Sequence, residues 1–252
     1  MGVYNLNFIT EENFEKQVYE TIQSYQKVLK SINLKQFNNN TIDPIKLIFD
    51  KYIFDLHYEK IIELEIQRQR DKSNTNSIGY FHQNMFSFIK NCEVPKEGWD
   101  VIFRGSDATY YIEMKNKHNT MNSASSAKTF MKMQQQLLVD RNCICALVEV
   151  IAKESQNIPW QITIDKVKQP LVENLRRISI DKFYEIVTGD AEAFSKICEQ
   201  LPRTIKKILQ KNPNCKVEKD TVLKELSLVD KDLEKALFKI AFQTYLGFDK
   251  NF

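Results

Sequence analysis

The sequence predicts an α/β protein with a mixed central β-sheet flanked by helices and with helical portions at both ends. Three observations carry this. Two short apolar runs, residues 99–103 and 110–112, are separated by Arg104-Gly105-Ser106-Asp107, which reads as a hairpin turn. Residues 143–151 are almost uninterrupted in their apolar character, as expected of a strand covered on both faces, and residues 160–164 add another strand. The stretches on either side repeat their apolar residues every three or four positions, the helical period. These features divide a single domain into a helical part (1–95), an α/β core (96–168) and a second helical part (169–252).

Taken in order, Thr10-Glu11-Glu12 opens a helix with the stripe Phe14, Val18, Ile22, Tyr25, Leu29 and Ile32. The run Asn38-Asn39-Asn40 ends it. Asp43-Pro44 is a helix N-cap followed by proline at the first helical position. A long helix is predicted from Ile45 to Arg68, burying Ile48, Phe49, Tyr52, Ile53, Leu56, Ile61 and Leu64. Residues 71–77 read as polar loop, followed by a short helix through Ile78, Phe81, Met85, Phe86 and Ile89. After the hairpin, residues 119–123 cap a helix from Ser123 to Asp140 that leads into the apolar strand. From Asp181 onward the pattern is helical, including residues 191–198, 205–209 and 226–246.

Composition bounds the function. Hydrophobic residues make up 42% and aromatics 11% of 252 residues, enough for a buried core. No apolar run approaches the ~18–20 residues of a membrane span, and residues 1–10 lack the basic start and apolar core of a signal peptide, so a cytoplasmic protein is expected. Five cysteines (Cys92, Cys143, Cys145, Cys198, Cys215) contain no C-x-x-C pair, which argues against a disulfide framework or zinc ribbon. Cys143 and Cys145 share a strand face and read as core thiols. The six glycines form no phosphate-cradling loop, which disfavours kinases, P-loop enzymes and dinucleotide-binding dehydrogenases. A net charge of +3 permits nucleic acid as a partner without announcing it.

Glu113-Met114-Lys115 is the one place where an acidic residue stands two positions before a lysine. On a strand, Glu113 and Lys115 project from one face and Met114 from the other. The hairpin brings Asp100 beside Glu113, so two carboxylates and an ammonium converge. Phosphodiester hydrolysis needs charge neutralisation and an activated water. Mg²⁺ takes hard oxygen ligands, so Asp100, Glu113 and the carbonyl of Met114 are its candidate holders, with Lys115 beside the phosphate. An isolated Glu-x-Lys is otherwise a solvated strand face. The apolar strand before it, the Asp-bearing strand one hairpin away and the polar run Asn116-Lys117-His118-Asn119 after it single this one out.

This arrangement over residues 99–151 resembles the PD-(D/E)xK nuclease superfamily. Over most of the chain, Arg68-Gln69-Arg70-Asp71-Lys72, Gly79-Tyr80-Phe81-His82-Gln83, the run from Glu113 to Asn122 and Phe183-Tyr184-Glu185-Ile186-Val187-Thr188-Gly189 resemble a family of type II restriction endonucleases. That family includes enzymes cutting the interrupted palindrome GGNCC. Gly98-Trp99 stands where the superfamily pattern has a proline before the aspartate. The resemblance implies a restriction-endonuclease-like α/β/α core, Mg²⁺, double-stranded DNA as substrate, a homodimer and a cognate DNA methyltransferase. It also implies a further glutamate on the preceding helix, for which Glu65 is preferred over Glu59 and Glu63 because it shares the inward face of Ile61.

Side chains that match base edges or phosphates cluster in two segments. One is Arg68, Gln69, Arg70 and Lys72 with His82 and Gln83. The other is Asn116, Lys117, His118, Asn119, Asn122 and Ser123. The basic face Arg203, Lys206, Lys207 and Lys211 is a candidate phosphate stripe. A structure-specific or repair nuclease with the same chemistry, and a non-catalytic DNA-binding module, remain as alternatives.

Overall fold

The computed structural model describes residues 4–28, 30–39, 42–118, 120–212 and 219–242. Leu29, Asn119, Cys215 and residues 243–246, which carried expectations above, lie outside them. The helical start comprises α1 (Glu11–Val28), α2 (Leu34–Asn39), α3 (Pro44–Ile53) and α4 (Tyr58–Met85). The sheet strands are β1 (Cys92–Glu93), β2 (Val101–Arg104), β3 (Thr109–Lys117), β4 (Ile144–Ile151), β5 (Asn157–Pro159) and β8 (Leu175–Ser179). Helix α5 (Ser123–Val139) connects β3 to β4, and β6 (Thr163–Ile164) pairs with β7 (Val167–Lys168) in a separate hairpin. Helices α6 (Ile180–Thr188), α7 (Ala193–Lys211), α8 (Val222–Val229) and α9 (Leu233–Phe242) complete the described chain.

The six strands run in the order β1-β2-β3-β4-β8-β5. The β1–β2, β2–β3 and β8–β5 pairs are antiparallel, whereas β3–β4 and β4–β8 are parallel, so the central sheet is mixed as predicted. A parallel pair needs a crossover, and α5 supplies it between β3 and β4.

The contacts divide the chain into two compact units: residues 1–22 with 76–213, and residues 23–75 with 214–252. The first contains the whole sheet. Period-two alternation assigns its faces. Val101, Phe103, Ile112, Ala146, Val148 and Ile178 join one core with residues of α6 and α7, while Cys143, Cys145, Leu147 and Leu175 join another with Phe130 and Met133 of α5 and with Trp160. Cys143 and Cys145 are both fully buried, in keeping with core thiols. The second unit has its own apolar centre of Phe37, Leu47, Ile61, Ile62, Val222, Leu226 and Leu237.

Several expected elements differ. The long helix from Ile45 to Arg68 is two helices. Asp55 takes φ 50° and the Leu56 N–H reaches the Lys51 carbonyl (3.0 Å), the six-to-one bond that ends a helix with a left-handed residue. Phe49, Tyr52, Ile53 and Leu64, expected inward, are exposed. Residues 71–77, expected as loop, lie inside α4. Their serines and asparagines each cost only a few tenths of a kcal/mol against better helix formers, and context overrides that. Residues 160–164 are not one strand, since Trp160 lies between β5 and β6. The largest omission is β8, an interior strand within the stretch expected to be helical.

Candidate active site

The β2–β3 hairpin sets the geometry. Val101 pairs with Ile112, and the Asp100 N–H donates to the Ile112 carbonyl (3.0 Å), which places Asp100 beside Glu113. The Asp100 side chain then turns onto the next peptide, its Oδ2 accepting from the Met114 N–H at 2.7 Å. Glu113 and Lys115 project from the α5 side of β3, opposite to Ile112 and Met114, which belong to the other core. The Lys115 Nζ lies 2.7 Å from Glu113 Oε1. The three residues singled out by the sequence are thus brought together.

A fourth group was missed. Lys132 of α5 places its Nζ 2.9 Å from Glu113 Oε2 and 2.5 Å from the Gly98 carbonyl, over the Trp99 ring at 4.1 Å from the centroid. Glu113 therefore receives one ammonium on each carboxylate oxygen. Gly98 sits at φ +94°, a backbone region that L side chains rarely adopt, so glycine suits the bend that delivers Trp99 and Asp100 to this point. No sequence signal marks Lys132, because the contact spans 19 residues and depends on how α5 crosses the sheet.

The two carboxylates differ electrostatically. Burial raises the pKa of Asp100, and the nearby Glu113 charge adds to this, while the Met114 N–H and the lysines only partly oppose it. Burial would raise Glu113 as well, but the hydrogen bonds and charges of Lys115 and Lys132 outweigh it and hold its carboxyl below the usual value. Among the described residues, no group of three His, Cys, Asp or Glu side chains stands together. Two carboxylates are nevertheless what a Mg²⁺ site commonly takes from the protein, the rest coming from carbonyl, water and substrate oxygens. The donor set here is all oxygen, so it fits that ion and not a thiolate- or imidazole-seeking one.

The outlying candidates divide. Glu65 is 6% exposed, but Arg68 takes both its oxygens (2.6 Å each) and Gln69 also donates to it (3.1 Å). In this arrangement it is a buried ion-pair acceptor. Gln69 is itself buried and bonded to the Phe37 carbonyl, so it cannot reach DNA. Arg70 is held by Asp220 (2.8 Å) and by the Val28 and Lys30 carbonyls. Arg68 and Lys72 are exposed on α4.

In the sheet-bearing unit, burial drives the His82 pKa down to about 4. Its half-buried ring packs against Phe81 and Phe194, surroundings that favour the neutral form. Gln83 donates to the Asp100 carbonyl (3.2 Å), which steadies the backbone of the site. Asn122 is spent as the N-cap of α5, accepting from the Ser125 N–H at 2.8 Å, with Ser123 the exposed first residue of that helix. Asn116, Lys117 and His118 follow Lys115 on or beside β3. Of the basic face on α7, Lys207 is paired with Glu11 (2.9 Å) and Glu15.

Two further residues of this face escaped the sequence reading: Glu149 of β4, opposite Lys115 in register, and Arg177 of β8. Glu149 is 1% exposed.

Residues 6–210 match the model of the Eco47II restriction endonuclease family. The chain is 31% identical over 204 residues to the type II restriction enzyme Sau96I of Staphylococcus aureus, covering 78% of each protein. It is 26% identical over 212 residues to the type II restriction enzyme Eco47II of Escherichia coli, covering 81% of this chain and 88% of that one.

Proposed function

We propose that this chain, which belongs to the Eco47II restriction endonuclease family and is a type II site-specific deoxyribonuclease, cuts double-stranded DNA within a short palindrome such as GGNCC and needs Mg²⁺ to do so. The observation that carries this reading is the convergence of Asp100, Glu113 and Lys115, with the Lys115 ammonium 2.7 Å from Glu113.

Asp100 and Glu113 would hold the ion, joined by the Met114 carbonyl. The Met114 peptide edge already faces Asp100, and a strand residue turns its N–H and C=O to the same side. Bound there, Mg²⁺ would neutralise phosphate charge and lower the pKa of a water. Lys115 donates to a non-bridging oxygen of the scissile phosphate and stabilises the charge that grows on it, a contribution of ~10²–10³ in rate for one preorganised donor. Gln83 and Lys132 fix the backbone on either side of Trp99, so that Asp100 does not have to be positioned at the moment of reaction.

In this reading residues 1–252 act as one endonuclease domain. A palindromic target requires a two-fold homodimer with one subunit on each strand. A cognate methyltransferase protects the host sequence, and the enzyme works in the cytoplasm. Among the described residues no helix is long and apolar enough to cross a membrane.

The test is digestion of bacteriophage DNA of known sequence with Mg²⁺. Discrete fragments whose ends map to one palindrome are expected. A smear, or intact DNA, contradicts the reading.

A further inference from the structure

Beside the catalytic strand, a cavity of about 130 Å³ opens on the α5 side of the sheet, between Lys115 and Lys117 of β3 and Arg177 of β8. Thr120, Ser126 and Gln161 add hydroxyl and amide groups to its wall. Three cations line it, of which Arg177 is paired with Glu149 and Lys115 with Glu113, so the surplus charge is that of Lys117.

Glu149 is already committed. Its Oε2 accepts from Arg177 Nε (2.9 Å) and its Oε1 from Arg177 Nη2 (2.5 Å), a side-on fork that locks the guanidinium plane. Arg177 Nη2 also lies 2.7 Å from His118 Nδ1. An arginine N–H can only donate, so the histidine nitrogen accepts. Burying a carboxylate to 1% exposure is costly, and its charged neighbour here is Arg177, with His118 Nδ1 also 3.2 Å from its Oε2. The remaining nitrogen, Nη1, hydrogen-bonds no other described residue, and two lysines stand across the cavity from it.

We infer that this pocket binds a backbone phosphate of the DNA adjoining the scissile one, with Arg177 as its ligand and Glu149 as the positioning residue that aims Arg177. An anion is what a small pocket lined by Arg177, Lys117 and the Ser126 hydroxyl accepts, and Arg presents N–H groups that suit a phosphate. Ser126 lies in the first turn of α5, where the helix dipole also favours negative charge. Strands β3 and β8 are two apart, about 10 Å. Arg177 therefore stands two strands across from Glu113, with the wall residue Lys115 on the strand of Glu113, which suits a phosphate neighbouring the scissile one. The inference rests on the nuclease reading and adds to it a contact that the sequence did not mark.

The experiment measures binding of a cognate duplex by fluorescence anisotropy in Ca²⁺ across a salt series, together with kcat and KM in Mg²⁺. Arg177→Met should weaken binding about tenfold, lower the slope of log K against log salt by about one, and raise KM with little change in kcat. Arg177→Lys should recover part of the affinity. Glu149→Gln should weaken binding in the same direction through a loosened guanidinium. Because Arg177→Met strands a buried carboxylate, the double variant Glu149→Met/Arg177→Met removes both charges and keeps the protein foldable while showing the same loss of slope.

An unchanged slope and affinity in a folded double variant overturns the assignment, as does a loss confined to kcat. A Glu149→Gln effect on melting temperature alone overturns the positioning role. Saturable micromolar binding of inorganic phosphate without DNA would make the pocket a free-anion site and overturn the backbone assignment. If the wild-type protein cuts specifically while these variants match it, only this inference fails. If the wild type neither binds nor cuts, the nuclease reading itself fails.

Discussion

Lys132 Nζ sits 2.9 Å from Glu113 Oε2, so a helix side chain occupies the carboxylate oxygen that a divalent ion would seek. The ammonium and the ion compete for the same lone pairs. Lys132→Met is expected to tighten Ca²⁺ binding in the absence of DNA by roughly tenfold, about 1.4 kcal/mol, measured by isothermal titration. An unchanged affinity would show that Lys132 does not oppose the ion.

His82 predicts a pH dependence of stability. Its folded pKa, about 4, lies below the ordinary 6.5, because burial disfavours the charged ring. The unfolded chain therefore takes up the proton first. The contribution is fully present above pH 6.5 and is lost as pH falls toward 4. It amounts to about 2 kcal/mol between pH 7.5 and 5. In urea titrations, His82→Leu should lose that much less stability over this interval than the wild type. Identical pH slopes would mean that the ring is not held neutral.

Arg70 separates a structural post from a DNA contact. It is 12% exposed and bonded to Asp220 and two carbonyls. Arg70→Ala should lower stability by about 1–3 kcal/mol and leave the salt slope of DNA binding unchanged, read by thermal melting and anisotropy. A reduced slope at full stability would restore Arg70 to the DNA-binding set.

The hairpin and the convergence of Asp100, Glu113 and Lys115 were legible because both the pairing and the facing of Glu113 and Lys115 follow from a period of two. What the sequence hid lay in contacts between distant segments. In β8, Arg176 and Arg177 interrupt the apolar pattern that reveals a strand, and Arg177 is half-buried there beside Glu149. Glu149 passed as part of an apolar run for the converse reason. Glu65 is inward as its spacing from Ile61 predicts, but its pairing with Arg68 was not legible, since periodicity fixes a face and not a partner. Likewise the spacing marked a helix around Phe49 and Tyr52 but could not tell which of its apolar faces is covered.

The most direct measurement is cleavage by Glu113→Ala and Lys115→Ala alongside binding of the same duplex in Ca²⁺. Both variants should bind DNA and fail to cut it in Mg²⁺, with rates reduced at least ~10²-fold. Cutting at the wild-type rate by either variant would contradict the claim that Asp100, Glu113 and Lys115 form the catalytic centre.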